Sequence, residues 1–129
     1  MKVTKQPGWI ISCTENFGET VAFFRDVIGL DFKESGVPAT DTQFTDFAQF
    51  EMPNGIVLEV VKPNASVRQL YKAPILSISV DDVGQARREM ESKQIEFVAP
   101  TFNDTHGWGW TYFRALDGNI YQIQGPYKE

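Results

Sequence analysis

Three residues stand out because their side chains could do chemistry: a single cysteine, a single histidine and a glutamate within an apolar stretch. Cys13 follows Trp9 and Ile11 at strand spacing and has no His or Lys beside it. This environment favours a buried structural thiol over an activated nucleophile. His106 lies in the polar segment 104–107, which indicates a solvated loop residue, with a ligand contact from that loop as the alternative.

The glutamate, Glu59, lies between Val57 and Val61, and strand alternation places all three side chains on one face. A carboxylate on an apolar face is costly to bury unless it is paired, protonated or turned toward water or a ligand. One interpretation is a strand glutamate at a sheet edge, or one that holds a nearby donor. The other is an acceptor or general base for a polar ligand group, with a pKa raised by loss of water.

An aromatic stripe, Trp108, Trp110 and Tyr112, alternates with small residues. Such a stripe is typical of core packing, but small residues beside large rings also leave space for a planar ligand. Both interpretations of the stripe remain open at the level of sequence.

The chain is internally duplicated. The segment Trp9–Gly18 is similar to Ile75–Gly84, at an offset of 66 residues. Both copies contain an apolar strand, then acidic or Asn residues, then the start of a helix. The turn ending at Gly55 is answered by the turn ending at Gly118, an offset of 63 residues. Two similar half-domains are predicted to build one curved mixed sheet, a half-barrel around a ligand cleft.

Each half is predicted to be a βαβββ unit, which gives an α+β fold for the whole chain. Apolar residues recur at helical spacing from Phe17 to Ile28, which predicts a helix, and Gly29 is expected to end it. Glu15 or Asn16 is available to cap its start. The expected strands are 9–14, 30–35, 44–52, 56–62, 75–80, 95–99, 108–114 and 120–124, the second helix is 83–93, and the loop is 36–40.

The bounds of the half-domains follow from these elements. One domain is predicted over 1–129, with half-domain one at 9–62, a linker at 63–74 and half-domain two at 75–125. On the second helix, Arg87 and Arg88 with Glu91 indicate an exposed face with local ion pairs of little energetic value.

Composition and charge narrow the function class. Twelve basic and seventeen acidic residues give a net charge of −5, which argues against a nucleic-acid partner. One cysteine excludes an intrachain disulfide, and no apolar run is long enough to span a bilayer. The first eight residues lack the apolar stretch of a signal peptide, so a soluble cytoplasmic protein is expected.

Two motifs resemble those of the vicinal oxygen chelate superfamily, which includes glyoxalase I, extradiol dioxygenases, fosfomycin-modifying enzymes and bleomycin-resistance proteins. Phe23–Leu30 resembles the family's helix-end signature, and Phe113–Asn119 resembles its Asp-Pro-Asp-Gly-Asn turn, with Ala115-Leu116 in place of Asp-Pro. The Trp-Gly-Trp segment before this turn is similar to bleomycin-resistance proteins, whose aromatic surfaces hold a planar ligand. The resemblance implies a glyoxalase-like fold, but this fold hosts many activities.

The resemblance also implies where a divalent metal would be bound. Its ligands would fall at Trp9, Glu59, Ile75 and Gln122, two in each half. Trp and Ile cannot coordinate a metal, and the remaining two oxygens are fewer than the three protein ligands typical of a catalytic site. His106 does not match a ligand position. We therefore expect no metal and no other cofactor.

The length of the second turn decides which way the aromatic stripe faces. A two-residue turn would place Phe113 opposite Gln122 and direct the tryptophans away from the predicted cleft. A three-residue turn at 116–118 would pair Arg114 with Ile120 and bring the stripe inside. The sequence does not choose between them.

The sequence thus predicts a metal-free protein of bleomycin-resistance type that binds a small organic molecule in an aromatic-lined cleft. The alternative is a lyase, isomerase or dioxygenase of the same superfamily, with Glu59 as a candidate base, and a third interpretation is an interaction module with a degenerate cleft. A homodimer is expected. The predicted ligand-binding residues are Trp9, Ile11, Val57, Glu59, Ile75, Ser77, Trp108, Trp110, Arg114 and Gln122.

Overall fold

The computed structural model describes residues 1–6, 8–36, 44–64, 68 and 73–128, with the side chain of Phe44 outside the description. The chain divides into two compact units. We call Pro7–Ile75 the N-terminal unit, and Met1–Gln6 together with Leu76–Glu129 the C-terminal unit. None of the helices in the described ranges has the length and apolar character that a bilayer span requires.

The N-terminal unit has a mixed sheet with the lateral strand order β2-β3-β4-β1. Strand β1 runs parallel to β4, while β2, β3 and β4 are antiparallel neighbours. With the helix that follows β1, the unit has the predicted βαβββ order. The strands are β1 (Trp9–Cys13), β2 (Asp31–Gly36), β3 (Phe44–Glu51) and β4 (Val57–Pro63).

The helix of this unit changes form along its length. Helix α1 (Phe17–Ala22) continues as a π-helix over Phe23–Ile28 and ends at Gly29, whose φ of 80° is left-handed. The predicted end at Gly29 is therefore confirmed. The predicted side-chain cap is wrong, because Asn16 has φ −97° and ψ 58°, outside the extended geometry from which a capping side chain reaches the first-turn amides. Its own backbone N–H donates to Thr14 Oγ1 at 3.0 Å.

One face of the N-terminal sheet packs against the helix and forms the core of the unit. Alternate residues of β3 and β4 are almost fully buried there, because successive strand side chains point to opposite faces. The opposite side of the sheet, which we call the helix-distal face, carries the other set of side chains. The core residues are Ala48, Phe50, Leu58 and Val60, packed against Ile10, Phe17, Val21, Phe24, Leu30 and Met52.

The C-terminal unit has the lateral strand order β5-β9-β8-β6, with β7 also paired to β8. Strand β9 runs parallel to β5 and antiparallel to β8. The first residues of the chain join this unit, since Thr4 N–H donates to the Ser79 carbonyl at 2.9 Å. The strands are β5 (Ile75–Ser79), of which the first residue is counted with the N-terminal unit, β6 (Glu96–Phe97), β7 (Phe102–Asn103), β8 (Trp108–Arg114) and β9 (Ile120–Pro126).

Helix α2 (Val83–Ser92) covers one face of the strands of this unit. Its start is capped by Asp82, whose carboxylate accepts the backbone N–H of Gln85 at 2.9 Å. Two helix residues, Val83 and Ala86, are fully buried against the sheet. The core residues of the unit are Val80, Val83, Ala86, Phe113 and Ile123.

The duplication extends to the atoms of the two hairpin turns. Pro53–Gly55 and Leu116–Gly118 are both three-residue turns whose last residue is a left-handed glycine, with φ of 87° and 83°. In each turn the central Asn or Asp side chain accepts a backbone N–H two residues further on, at 3.1 Å in the first turn and 2.9 Å in the second. The two halves therefore share turn chemistry as well as strand order.

One predicted strand differs from the structure. Instead of a strand over 95–99, only Glu96–Phe97 pairs with β8, and Phe102–Asn103 forms a further short strand. The reason is that the Ala99 carbonyl accepts side-chain donors, Arg87 Nη1 at 2.9 Å and Thr111 Oγ1 at 3.2 Å. Residues 37–40 of the predicted loop and most of the predicted linker lie outside the described residues.

Candidate functional site

Glu59 lies in a row of side chains that crosses the N-terminal sheet on its helix-distal face. In the strand register Glu59 pairs with Ile11 of β1 on one side and with Gln49 of β3 on the other. Gln49 in turn pairs with Glu34 of β2. The two neighbours of Glu59 along β4, Leu58 and Val60, point to the helix side, so the carboxylate does not belong to the helix-packed core.

One contact defines the orientation of the Glu59 carboxylate. Gln49 Nε2 donates a hydrogen bond to Glu59 Oε2 at 2.7 Å. Both side chains are half-buried. Among the described residues, this is the one side-chain donor to the carboxylate, and it occupies one of the two oxygens.

The electrostatics of this row keep Glu59 near its titration point at neutral pH. Burial raises its pKa from 4.5 to about 7. The hydrogen bond from Gln49 opposes that rise, and the charge of Glu34 adds to it. Glu59 can therefore accept a proton or a hydrogen bond, and can return the proton, in the range where general bases work best.

The rest of the helix-distal face near Glu59 is mainly apolar. Trp9 is half-buried and pairs with buried Val57, while Ile11 is 2% exposed. Cys13 pairs with Val61 on the same face, and burial, followed by the charge of Glu15, raises the pKa of its thiol to about 12. The thiol is therefore protonated at neutral pH, as expected of a structural cysteine.

The corresponding row of the C-terminal sheet is a closed polar network. Ser77 Oγ donates to Gln122 Oε1, and Gln122 Nε2 donates to the Tyr112 hydroxyl at 3.1 Å. All three residues are buried, at 1%, 4% and 0% exposure. Both ends of the Gln122 amide are engaged within the protein, so the network is suited to specifying the packing of this sheet.

The aromatic stripe shares its sheet face with Gln122. The register pairs Arg114 with Ile120 and Tyr112 with Gln122 across a three-residue turn. Trp110 packs against Phe102, with ring centroids 6.4 Å apart. This register selects the three-residue alternative left open by the sequence.

Trp108 of the stripe, and Arg114 two residues after its last member, have local partners. Trp108 is 40% exposed, and its Nε1 donates to Gln124 Oε1 at 3.0 Å. Arg114 Nη1 donates to the Gly118 carbonyl at 3.1 Å, and its Nε lies 3.4 Å from Glu96 Oε2. Both side chains are exposed enough to meet a ligand without first breaking the core.

His106 is exposed at the turn before β8. The Asp104 carboxylate accepts the backbone N–H groups of both His106 and Trp108, at 2.8 Å and 2.9 Å. Asp104 therefore stabilises this turn, and the exposed position of His106 agrees with a solvated loop residue.

Two residues with defined polar contacts were missed by the sequence reasoning. Gln49 could have been found only from the register of β3 against β4, because its own strand gives no chemical signal. Arg87 was interpreted as part of an exposed helix face, which is wrong: its side chain is 23% exposed and lies 4.7 Å above the Phe97 ring. Its predicted ion pair with Glu91 is present at 3.4 Å.

The residues at the family's metal positions do not fit a divalent ion. Trp9 and Ile75 carry no ligand atom, and the amide of Gln122 is bonded at both ends. Within the part of the chain that the structure describes, no group of three or more His, Cys, Asp or Glu residues could hold a metal. That the protein in solution carries no metal stays a prediction.

The sequence profile of the Glyoxalase/Bleomycin resistance protein/Dioxygenase superfamily matches residues 6–123, and the chain belongs to this superfamily. No curated protein sequence matches the chain significantly. The predicted family and the predicted glyoxalase-like α+β fold are both confirmed.

Solved structures with the same fold are distant in sequence. A variant of methylmalonyl-CoA epimerase from Streptomyces coelicolor, in complex with 2-nitronate-propionyl-CoA, is 16% identical with a TM-score of 0.71 over 97% of this chain and 99% of that chain. The Mycobacterium tuberculosis methylmalonyl-CoA epimerase is 15% identical, with a TM-score of 0.67 over 94% and 86%. A superfamily member from Vibrio splendidus is 13% identical, with a TM-score of 0.59 over 92% and 97%.

The ten predicted ligand-binding residues differ in accessibility. Trp9, Glu59 and Trp110 are half-buried, and Trp108 and Arg114 are exposed. The other five, which are buried, could shape a binding surface but offer a ligand little contact area. That all ten line one cleft stays a prediction. The buried five are Ile11, Val57, Ile75, Ser77 and Gln122.

Proposed function

We propose that this superfamily member binds a small organic molecule without a catalytic metal, with the Glu59 carboxylate as its polar anchor. The observation that carries the proposal is the geometry of Glu59. Within the part of the chain that the structure describes, this half-buried carboxylate on the helix-distal face has a single side-chain donor, the Gln49 amide, so it retains capacity to accept a further donor.

The surroundings of Glu59 suggest the kind of ligand. Ile11 and Val57 are apolar neighbours across and along the strands, and Trp9 offers a half-buried ring on the same face. A ligand with an apolar or aromatic body could pack against these apolar side chains, and one cationic or hydrogen-bond-donating group on it could bind the carboxylate. The carboxylate would gain a partner that replaces its lost water.

A matched pair of variants tests this assignment. Wild type, Glu59→Gln and Glu51→Gln are titrated with arylalkyl amines such as phenethylamine, with binding followed by tryptophan fluorescence and by NMR. Glu51 is an exposed carboxylate on the same face, so its variant reproduces the charge change without altering the anchor. We expect Glu59→Gln to weaken binding by about 1–3 kcal/mol and Glu51→Gln to leave it nearly unchanged. Equal affinity of wild type and Glu59→Gln would refute the anchor.

A second candidate function is proton abstraction by Glu59. The observation in its favour is the half-buried position of the Glu59 carboxylate, where burial raises the pKa to about 7 and leaves a substantial fraction ionised at neutral pH. The fold likeness to methylmalonyl-CoA epimerases suggests acyl-CoA thioesters as first substrates to try. Exchange of the α-hydrogen in D2O, measured by NMR and lost in Glu59→Gln, would support an isomerase. Ligand binding without exchange would favour the sequestering protein.

We also propose that the protein forms a homodimer. All six residues of β2, which lies at an edge of its sheet in the described residues, are exposed. An exposed strand edge favours association with another chain. Light scattering at tens of micromolar should give twice the mass of one chain, and a value for a single chain would contradict the proposal.

A further inference from the structure

We infer that Gln49 makes the Glu59 carboxylate a single-point acceptor, so that the site selects a compact ammonium group over a planar guanidinium. The inference rests on the proposed function and names the class of ligand: an apolar molecule that ends in a primary or secondary amine.

The geometry of the pair carries the inference. Gln49 is directly opposite Glu59 in the antiparallel register of β3 and β4, and its amide nitrogen is 2.7 Å from Oε2. A guanidinium binds a carboxylate best through two parallel N–H···O bonds that use both oxygens. Because Gln49 already donates to Oε2, a guanidinium that bridges both oxygens must share Oε2 with the amide or displace it, and displacement leaves a half-buried amide without its partner. An ammonium needs only Oε1.

The backbone around Gln49 is held in place, so the amide can leave Oε2 only by rotation of its own side chain. Its two neighbours in sequence, Ala48 and Phe50, are both 0% exposed on the helix side of the sheet, so β3 is anchored on either side of the amide. On the far side of Gln49 the same row continues to Glu34, whose negative charge favours a cation but lies one strand further away. The row therefore attracts positive charge while presenting one carboxylate oxygen to receive it.

The test compares two probes that share one apolar body, phenethylamine and phenethylguanidine. We expect wild type to bind the amine more tightly. In Gln49→Met, which keeps the side-chain volume while removing the amide, the ratio of guanidine to amine affinity should rise on the order of tenfold, the factor expected for about one charge-assisted hydrogen bond. Gln49→Leu is the second variant. Tyr112→Phe, at the corresponding position of the other unit, is the matched control and should keep the wild-type ratio.

A ligand-free measurement guards against an uninformative binding result. Titration of the Glu59 carboxyl by NMR should show a higher midpoint in Gln49→Met than in wild type, because the hydrogen bond stabilises the ionised form. An unchanged midpoint would show that the amide does not hold the carboxylate, and would overturn the inference.

The outcomes separate the two proposals. If wild type binds both probes equally, or if Gln49→Met leaves the ratio unchanged, the single-point acceptor is refuted while the ligand-binding function stands. If wild type binds neither probe and Glu59→Gln behaves identically, the proposed function fails and the inference with it. A preference for the amine that disappears in Gln49→Met supports both.

Discussion

The corresponding rows of side chains in the two units have one backbone arrangement and opposite chemistry. Ile11, Glu59 and Gln49 in the N-terminal unit occupy the register positions of Ser77, Gln122 and Tyr112 in the C-terminal unit. In the C-terminal row a neutral amide is bonded at both ends and fully buried. In the N-terminal row an ionisable carboxylate has one amide donor among the described residues, and its pKa is raised.

The difference indicates how the duplicated unit has diverged. The strand register and turn geometry are shared, whereas the side chains at matched positions differ in charge and in how many hydrogen bonds they make. In the buried network both ends of the Gln122 amide are engaged within the protein, which favours a structural role. A half-buried acid with unused acceptor capacity is costly to the folded state and is therefore a candidate for function. We therefore propose the N-terminal row as the site of the chemistry and the C-terminal row as a structural element.

The largest effect should come from breaking the closed network. Gln122→Leu removes the amide that both buried hydroxyls contact, and we expect a loss of about 2–4 kcal/mol in the free energy of unfolding. Gln49→Leu, in the half-buried row, should cost less than about 1 kcal/mol, because water can reach the groups left behind. Urea unfolding followed by tryptophan fluorescence gives both values. Equal losses would remove the distinction between the rows.

The pH dependence of stability should isolate the carboxylate. The folded pKa of Glu59 is raised from 4.5 to about 7, so between these values the unfolded chain is ionised where the folded chain holds a proton. Stability from this group is fully present below pH 4.5 and is lost as the pH rises through 7. Glu59→Gln should therefore gain stability relative to wild type from pH 4 to pH 8, by up to about 3 kcal/mol.

The control for this experiment is Glu51→Gln, which changes an exposed carboxylate on the same face. Its stability relative to wild type should stay nearly constant over the same pH range. A flat difference for Glu59→Gln as well would show that Glu59 titrates normally, and the contrast between the rows would lose its electrostatic basis.

A smaller effect is expected from the charge at the far end of the row. Glu34→Gln removes a negative neighbour that raises the pKa of Glu59, so the NMR titration midpoint of Glu59 should fall by a fraction of a unit. The opposite sign expected for Gln49→Met makes the pair diagnostic. A rise in Glu34→Gln would mean that the two carboxylates are not electrostatically coupled as the register suggests.

No effect at all is expected from divalent metals. Because Trp9 offers no ligand atom and the Gln122 amide is engaged by Ser77 and Tyr112, addition of zinc or manganese, or of a chelator, should leave the melting temperature unchanged. Elemental analysis after dialysis should find no stoichiometric metal. An ion held by Gln122 would require the closed network to open, and would overturn our account of that row.

The sequence predicted the parts of the fold that depend on local pattern. The duplication, the helix end at Gly29 and the positions of the two glycine turns all rest on composition and spacing within a few residues, whereas the length of the second turn required the strand register. The bounds of β8 follow for the same reason. The side-chain cap at Asn16 failed because it depends on a backbone dihedral that residue type alone does not determine.

The candidate site was less predictable because it depends on pairing between strands. Alternation placed Glu59 with its valines, but only the register brings Gln49 against it from ten residues earlier in the chain. Arg87 was misjudged for a similar reason, since its partners at Ala99 and Thr111 lie beyond the helix that carries it. Local periodicity predicts which face of a strand or helix carries a side chain, whereas only the register between strands identifies the side chain that it contacts.

The three-residue turn at Leu116–Gly118 imposes a condition on how this chain can evolve. Deleting one residue there would shift β9 by one position against β8, and the side chains of one strand would exchange faces relative to the other. Trp110 would then oppose the helix-side set of β9 instead of Gln124. Substitutions along the stripe can thus accumulate singly, whereas a change in the length of the turn must be compensated along a whole strand at once. Turn length is therefore a heritable marker by which related sequences can be sorted before any of their structures is known.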